Sequence, residues 1–222
     1  MKKILLAALE KEEESKLPNH GRPRRNVDFT GYRIRNIINN VCSNQDIRYM
    51  EVGLYRGGTF SAALFENAIK AVGIDNWSQD EWLRGKGTSK EQFYRTIHPI
   101  QGKNSVKIIQ NNCWDVKYED TAEYLNNKKI NVYFFDGPHG YDDQYRALTE
   151  FIDFLDDEFI FFVDDCDEST SPHVLEATLN AIKDLNLEIL FEKRMPAQHP
   201  GDLDRHTPAY WEGFYAAALR KK

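Results

Sequence analysis

Seven short apolar runs, separated by stretches of helical character, restrict this chain's fold more than any other feature of its 222 residues. They read "RYMEVG", "AVGID", "VKIIQ", "INVYFFDG", "EFIFFVDD", "LEILFEK" and "GFYAAALRK". Runs that are continuously apolar, instead of alternating with polar residues, suit strands covered on both faces. Strands of this kind that alternate with helices build a mostly parallel sheet with helices on either side. The helical candidates between them are Thr59–Lys70, Lys90–His98, Thr121–Asn126, Asp143–Leu155 and Ser171–Leu185. The last opens with Ser171 and Pro172, a capping residue followed by proline at the first helical position. Ahead of the first strand, Tyr32, Ile34, Ile37, Ile38 and Val41 recur at near-helical spacing.

The strand ends carry a second pattern. Glu51, Asp75, Asn112 and Asp136 close four runs, and Asp164 with Asp165 closes a fifth. Ligands of open α/β sheets bind outside the carboxyl ends of the strands, so these groups are expected to meet at one crevice. Asp and Asn also favour turns and caps, an explanation adequate for any one of them but weaker for five strand ends together.

At the first strand end, "EVGLYRGG" sets Gly53, Gly57 and Gly58 at a strand-to-helix corner. Glycine permits a sharp turn or a close backbone approach, and the N-terminus of the following helix favours an anionic group. Tyr55 occupies the middle position, so the order is not the G-x-G-x-x-G of dinucleotide binders. Asp75, one strand later, is placed to accept both hydroxyls of a ribose, which points to a nucleoside-bearing cofactor.

Charge and composition narrow the partners. A net charge of −6 argues against nucleic acid, and the one basic run, "GRPRRN", is brief. Three cysteines without metal-ligand spacing fit a reducing, cytoplasmic setting. "MKKILLAALEKEEE" has too short an apolar core for a signal peptide and reads as an amphipathic helix. No run approaches the ~20 apolar residues of a membrane span. Residues 1–26 are read as an N-terminal helix and linker, and 27–222 as one domain. Segments 76–104 and 194–212 exceed simple connections and are candidate lids, the first with Trp77 and Trp82; the second, with His199, His206, Tyr210 and Trp211, reads equally as an acceptor-binding lid or as a surface loop with incidental histidines.

Together, "EVGLYRGGTFSAAL", "VGIDNWS", "IIQNNCWDV", "VYFFDGPHGYDDQYRALTEF" and "FIFFVDDCD" resemble, in order, the motifs of class I S-adenosylmethionine-dependent methyltransferases. The nearest branch is that of small metal-dependent O-methyltransferases related to macrocin O-methyltransferase. The resemblance implies a Rossmann-like methyltransferase fold, with a mostly parallel seven-stranded sheet whose last strand is antiparallel. It implies that Glu51, Gly53, Tyr55, Gly57 and Thr59 surround the methionine end of the cofactor and that Asp75 holds the ribose. Asn112 and Cys113 would border the adenine, with Asp136 also at the cofactor. Asp136, Asp164 and Asp165 correspond to ligands of a divalent metal, most simply Mg²⁺, and Asp136 and His139 to the catalytic groups. Asn112 departs from the acid common at its position, and Pro138 from an acid or polar residue.

Physical chemistry makes such a trio sensible. Three close carboxylates repel one another unless a cation sits among them, and all-oxygen ligands suit Mg²⁺, Ca²⁺ or Mn²⁺. The implied reaction is O-methylation of a small-molecule hydroxyl, sugar-like or another natural-product acceptor, with a homo-oligomer left open. Three rivals stand beside it. They are a nucleotide-binding oxidoreductase, a glycosyltransferase holding its metal through Asp165 and Asp167, and a non-catalytic module of methyltransferase-like fold.

Overall fold

The computed structural model describes residues 1–18, 30–78, 88–167, 169–197, 210 and 212–222. Seven strands form one sheet in the order β3-β2-β1-β4-β5-β7-β6. They are β1 (Arg48–Val52), β2 (Lys70–Ile74), β3 (Ser105–Ile109), β4 (Ile130–Phe135), β5 (Leu155–Asp164), β6 (Glu188–Met195) and β7 (Phe214–Arg220). The first five strands pair in parallel, and β7 lies antiparallel between β5 and β6. All seven runs read from the sequence are strands, and the architecture is the Rossmann-like one expected.

The continuous apolar runs are explained by two cores. Tyr49, Val132, Phe134, Ile160, Phe162, Phe214 and Ala216 face one side, where α1 (Lys2–Glu10), α2 (Tyr32–Cys42), α3 (Gly58–Leu64) and α4 (Ser89–Ile97) pack. Their neighbours Met50, Tyr133, Phe135, Phe161, Val163, Tyr215 and Ala217 face the other, beneath α6 (Tyr141–Thr149) and α7 (Pro172–Asp184). Adjacent strand residues alternate between faces, so a sheet buried on both sides requires apolar residues at every position.

Several helices are shorter than their periodicity predicts. The expected Thr59–Lys70 helix stops at Leu64: Phe65 is extended, Glu66 has φ +54°, and Lys70 already pairs within β2. Asn67 contributes to that stop by donating 2.9 Å to the Ala63 carbonyl. The Asp143–Leu155 candidate divides into α6 and a 3₁₀ turn, Ile152–Phe154, before Leu155 begins β5. Thr121–Asn126 is reduced to α5 (Glu119–Ala122), ahead of left-handed Asn126 and Asn127.

The described part of segment 76–104 holds α4, whose Phe93 and Ile97 are buried in the first core. Residues 79–87, including Trp82, lie outside the described residues, as do 198–209 and 211, with His199, His206 and Trp211. Tyr210 is buried and donates its hydroxyl 2.5 Å to Glu12 of the N-terminal segment. Among the described residues no helix is long and apolar enough to cross a membrane.

Candidate functional site

The strand order reverses direction between β1 and β4, which opens a crevice outside their carboxyl ends. Val52 pairs with Ile74 on one side and Phe135 on the other, so Gly53, Asp75 and Asp136 leave the sheet at one level. Gly53 has φ +89°, and a Cβ there would stand 1.8 Å from the Asp136 carbonyl oxygen. This first glycine therefore serves the meeting of the β1 and β4 loops, a tertiary contact that its local sequence does not announce.

Asp75 organises the turn after β1. Its Oδ2 accepts from the backbone N–H of Leu54 at 2.7 Å and Tyr55 at 2.8 Å, and its Oδ1 from Trp77 N–H at 2.6 Å. The indole of Trp77 returns a hydrogen bond to the Tyr55 carbonyl at 2.9 Å. Tyr55 at φ +44° and Trp77 at φ +52° are both left-handed, a conformation costly to residues with a side chain. The carboxylate and the indole hold this strained turn in place. Each carboxylate oxygen has two lone pairs, so Asp75 retains capacity to accept a ligand hydroxyl.

Glu51 is fully buried. One of its oxygens accepts from the Thr59 hydroxyl at 2.6 Å and the other from the Tyr49 hydroxyl. Burial, and then the Glu51 charge, pushes the Tyr49 hydroxyl well above the usual phenol value and also raises the Cys42 thiol. A charge held at such a site polarises its surroundings strongly, because little water screens it. On the far side of the crevice, Asn112 caps the 3₁₀ turn Cys113–Asp115 by accepting from Trp114 N–H at 3.3 Å. Half-buried Cys113 is pushed up to about 11 by burial. Trp114 lies against Phe135 and Phe151, with the Arg146 guanidinium 4.1 Å from its ring centroid.

Beyond β4 and β5 the acids do not gather as the metal reading expects. His139 stands between Asp136 and Asp165, with Nδ1 3.0 Å from Asp165 Oδ2 and Nε2 3.8 Å from Asp136 Oδ1. Asp164 is buried at the end of β5, whereas Asp165, at φ +52°, carries its partly exposed carboxylate to the imidazole. Among the described residues no three His, Cys, Asp or Glu side chains are grouped so that they could hold a metal ion. The donor set implied for Mg²⁺ thus does not fit, because consecutive residues at a strand end diverge.

Two contributors that sequence reasoning missed, His173 and Gln144, and one that it weighed only as a metal ligand, Asp167, support the site. His173, at the start of α7, places Nε2 2.8 Å from the His139 carbonyl. A carbonyl only accepts, so Nε2 carries the proton. Gln144 donates to the Pro138 carbonyl at 3.4 Å, which ties the same loop to α6. Asp167, the second acid of "DCD", accepts from Ser169 N–H at 2.9 Å and Ala197 N–H at 2.7 Å and braces the β5 and β6 ends. The only local signal for His173 is its place beside the Ser171-Pro172 helix start, which marks a strand-end loop.

The model of a family described as a methyltransferase domain matches residues 50–166, slightly more than half of the chain. A methyltransferase of Podospora anserina, solved with S-adenosylhomocysteine bound, superposes with a TM-score of 0.56 and 12% identity, over 99% of this chain and 88% of that one. A protein of Pyrococcus horikoshii proposed to be an RNA methyltransferase gives 0.55 and 11%, over 99% and 97%. The O-methyltransferase TomG of Streptomyces achromogenes, involved in tomaymycin synthesis and solved with S-adenosylmethionine, gives 0.52 and 12%, over 99% and 90%. At such identities the likeness is one of fold. No curated protein matches the chain by sequence.

Proposed function

The chain belongs to the methyltransferase-domain family, and on that premise we infer that it transfers the methyl group of S-adenosylmethionine to the hydroxyl of a small molecule. Bound in the crevice, the cofactor supplies an electrophilic methyl group on a cationic sulfur. Asp75 is the group for its ribose, beside the turn of Gly53, Tyr55 and Gly57. The buried Glu51 charge beneath Thr59 favours the cationic end of the ligand, and Asn112 with Cys113 forms the adenine border. Two of the structural neighbours carry this cofactor or its product, which supports the reading.

The observation that carries O-methylation is the Asp165–His139–Asp136 alignment. Asp165 accepts from Nδ1–H and fixes the tautomer, leaving the Nε2 lone pair on the Asp136 side. An acceptor hydroxyl there gives its proton to Nε2 as its oxygen takes the methyl group, and Asp136 stabilises the imidazolium that results. His173 holds the backbone of the base. No step passes through a metal, because the trio expected to bind one is not assembled.

The fold is shared by proteins described as RNA and as O-methyltransferases, so it does not choose between acceptors. A net charge of −6 and an acid-lined mouth disfavour a phosphate backbone. The test is calorimetry with S-adenosylhomocysteine, followed by single turnover with a methyl acceptor. His139→Ala lowers turnover roughly 10²–10⁴-fold while cofactor affinity is unchanged, and EDTA leaves the rate unaltered. Lack of cofactor binding overturns the reading, and full turnover by His139→Ala overturns the base assignment.

A further inference from the structure

At the end of the sheet opposite the crevice, a cavity of about 260 Å³ opens where three strands begin. Arg48, Lys70 and Ser105 are the first residues of β1, β2 and β3, stand in register, and all line it. Lys103 and Lys128 reach it from the loops before β3 and β4. Among the described residues its lining carries one acid, Asp46. Buried Ile47, Ile69 and Leu125 supply an apolar wall. β1 and β2 are each five residues long. Roughly 16 Å of strand therefore separates this cavity from the crevice.

The ion pairs of this cavity leave positive charge over. Asp46 pairs with Arg48 at 2.8 Å and with Lys128 at 3.3 Å, and Asp156 meets Arg48 from outside the lining at 2.7 Å. Among the described residues, neither Lys70 nor Lys103 has a carboxylate partner. Half-buried Lys70 donates 2.9 Å to the Tyr124 carbonyl and lies 5.8 Å from the Tyr124 ring centroid, which leaves its ammonium two N–H donors. Two uncompensated cations thus share one concavity on a chain of net charge −6. Against an apolar wall such a cleft focuses its field and draws in an anion. A carboxylate would leave one lysine unpaired, whereas a phosphate group carries about −1.5 to −2 charge and three acceptor oxygens. The volume is below the roughly 300 Å³ at which drug-sized sites begin, so the phosphate group itself is the part enclosed.

We propose that this cavity is an anion site separate from the crevice, which takes a small phosphate-bearing ligand between Lys70 and Lys103. The proposal stands whether or not the methyltransferase reading does. The probes are inorganic pyrophosphate and ribose 5-phosphate, titrated calorimetrically into the full chain at fixed ionic strength, with the site located by backbone amide NMR shifts. At least one probe binds with a dissociation constant of about 1 mM or tighter, and the shifts fall at Lys70, Lys103, Ser105 and Asn126. Pyrophosphate alone marks a site for free inorganic phosphate, and ribose 5-phosphate binding as well marks one for a phosphorylated metabolite. Lys103→Glu weakens the bound probe about tenfold or more, whereas Lys183→Glu, the same change of charge on exposed α7, leaves it unaltered. If Lys103→Glu does not fold, Lys103→Gln weakens it at least about threefold. Neither probe binding at about 10 mM overturns the proposal. So do shifts confined to Gly53–Thr59, equal losses from both charge reversals, or tighter binding of a short single-stranded RNA, which would assign the lysines to a polymer surface.

Discussion

Gly53 shows how a single residue can serve a purpose that its motif conceals. Its neighbourhood suggests bare backbone for a ligand, yet the nearest obstacle to a side chain is the Asp136 carbonyl. Gly53→Ala must shift the β4 loop and adopt a strained φ, so it destabilises by at least about 3 kcal/mol, measurable by urea unfolding. The cysteines make a second prediction at this scale. Burial pushes Cys113 up to about 11, and Cys42 and Cys166 are raised further. In the unfolded chain a thiol ionises near pH 8.5, so above that pH the unfolded state releases protons that the native state retains. Stability is therefore complete below about pH 8.5 and falls toward pH 11, and Cys113→Ala reduces the slope of stability against pH over that window. The identity of Asp75 and of the Asp164–Asp165 pair is legible in the sequence, since acids at strand ends announce a mouth. Their division of labour is not legible, because hydrogen bonds from Leu54, Tyr55 and Trp77 depend on loops meeting in space.

Among the elements, the turn joining β1 to α3 is the one most tied to the proposed chemistry. Left-handed Gly53, Tyr55 and Gly57, the Asp75 carboxylate and the Trp77 indole N–H define it. Trp77→Phe preserves an aromatic ring against Phe93 and Tyr94 but removes the bond to the Tyr55 carbonyl. A lost hydrogen bond of about 1 kcal/mol weakens S-adenosylhomocysteine binding three- to tenfold, read by calorimetry, with kcat at saturating cofactor unchanged. Element ends were the least legible part of the fold. Periodicity carried the third helix to Lys70, but pairing of Lys70 with Arg48 and Ser105 claims that residue for the sheet. Likewise Leu155 satisfies a helical pattern and yet pairs with Ile130.

For the molecule as a whole, the N-terminal helix is part of the core. Leu5, Ala8 and Leu9 are buried with Ile34, Ile37, Phe214 and Ala216. Leu5→Ala therefore costs about 2–5 kcal/mol of global stability, measured by chemical denaturation, a loss expected of a core residue and not of a surface appendage. The order of residues along the chain is enough to specify the sheet and the polarity of its working edge. Continuous apolar runs can be satisfied only between two helical layers, and the acids and the amide at five strand ends have one common place to go. Tertiary structure decided which of those acids cooperate. Asp164 is buried while Asp165, one residue on, reaches His139, and His173 arrives from a helix begun more than thirty residues later. Hydrophobic patterning is additive along a chain and survives in one dimension. Site chemistry depends on ångström-scale distances between residues distant in sequence, which folding alone sets.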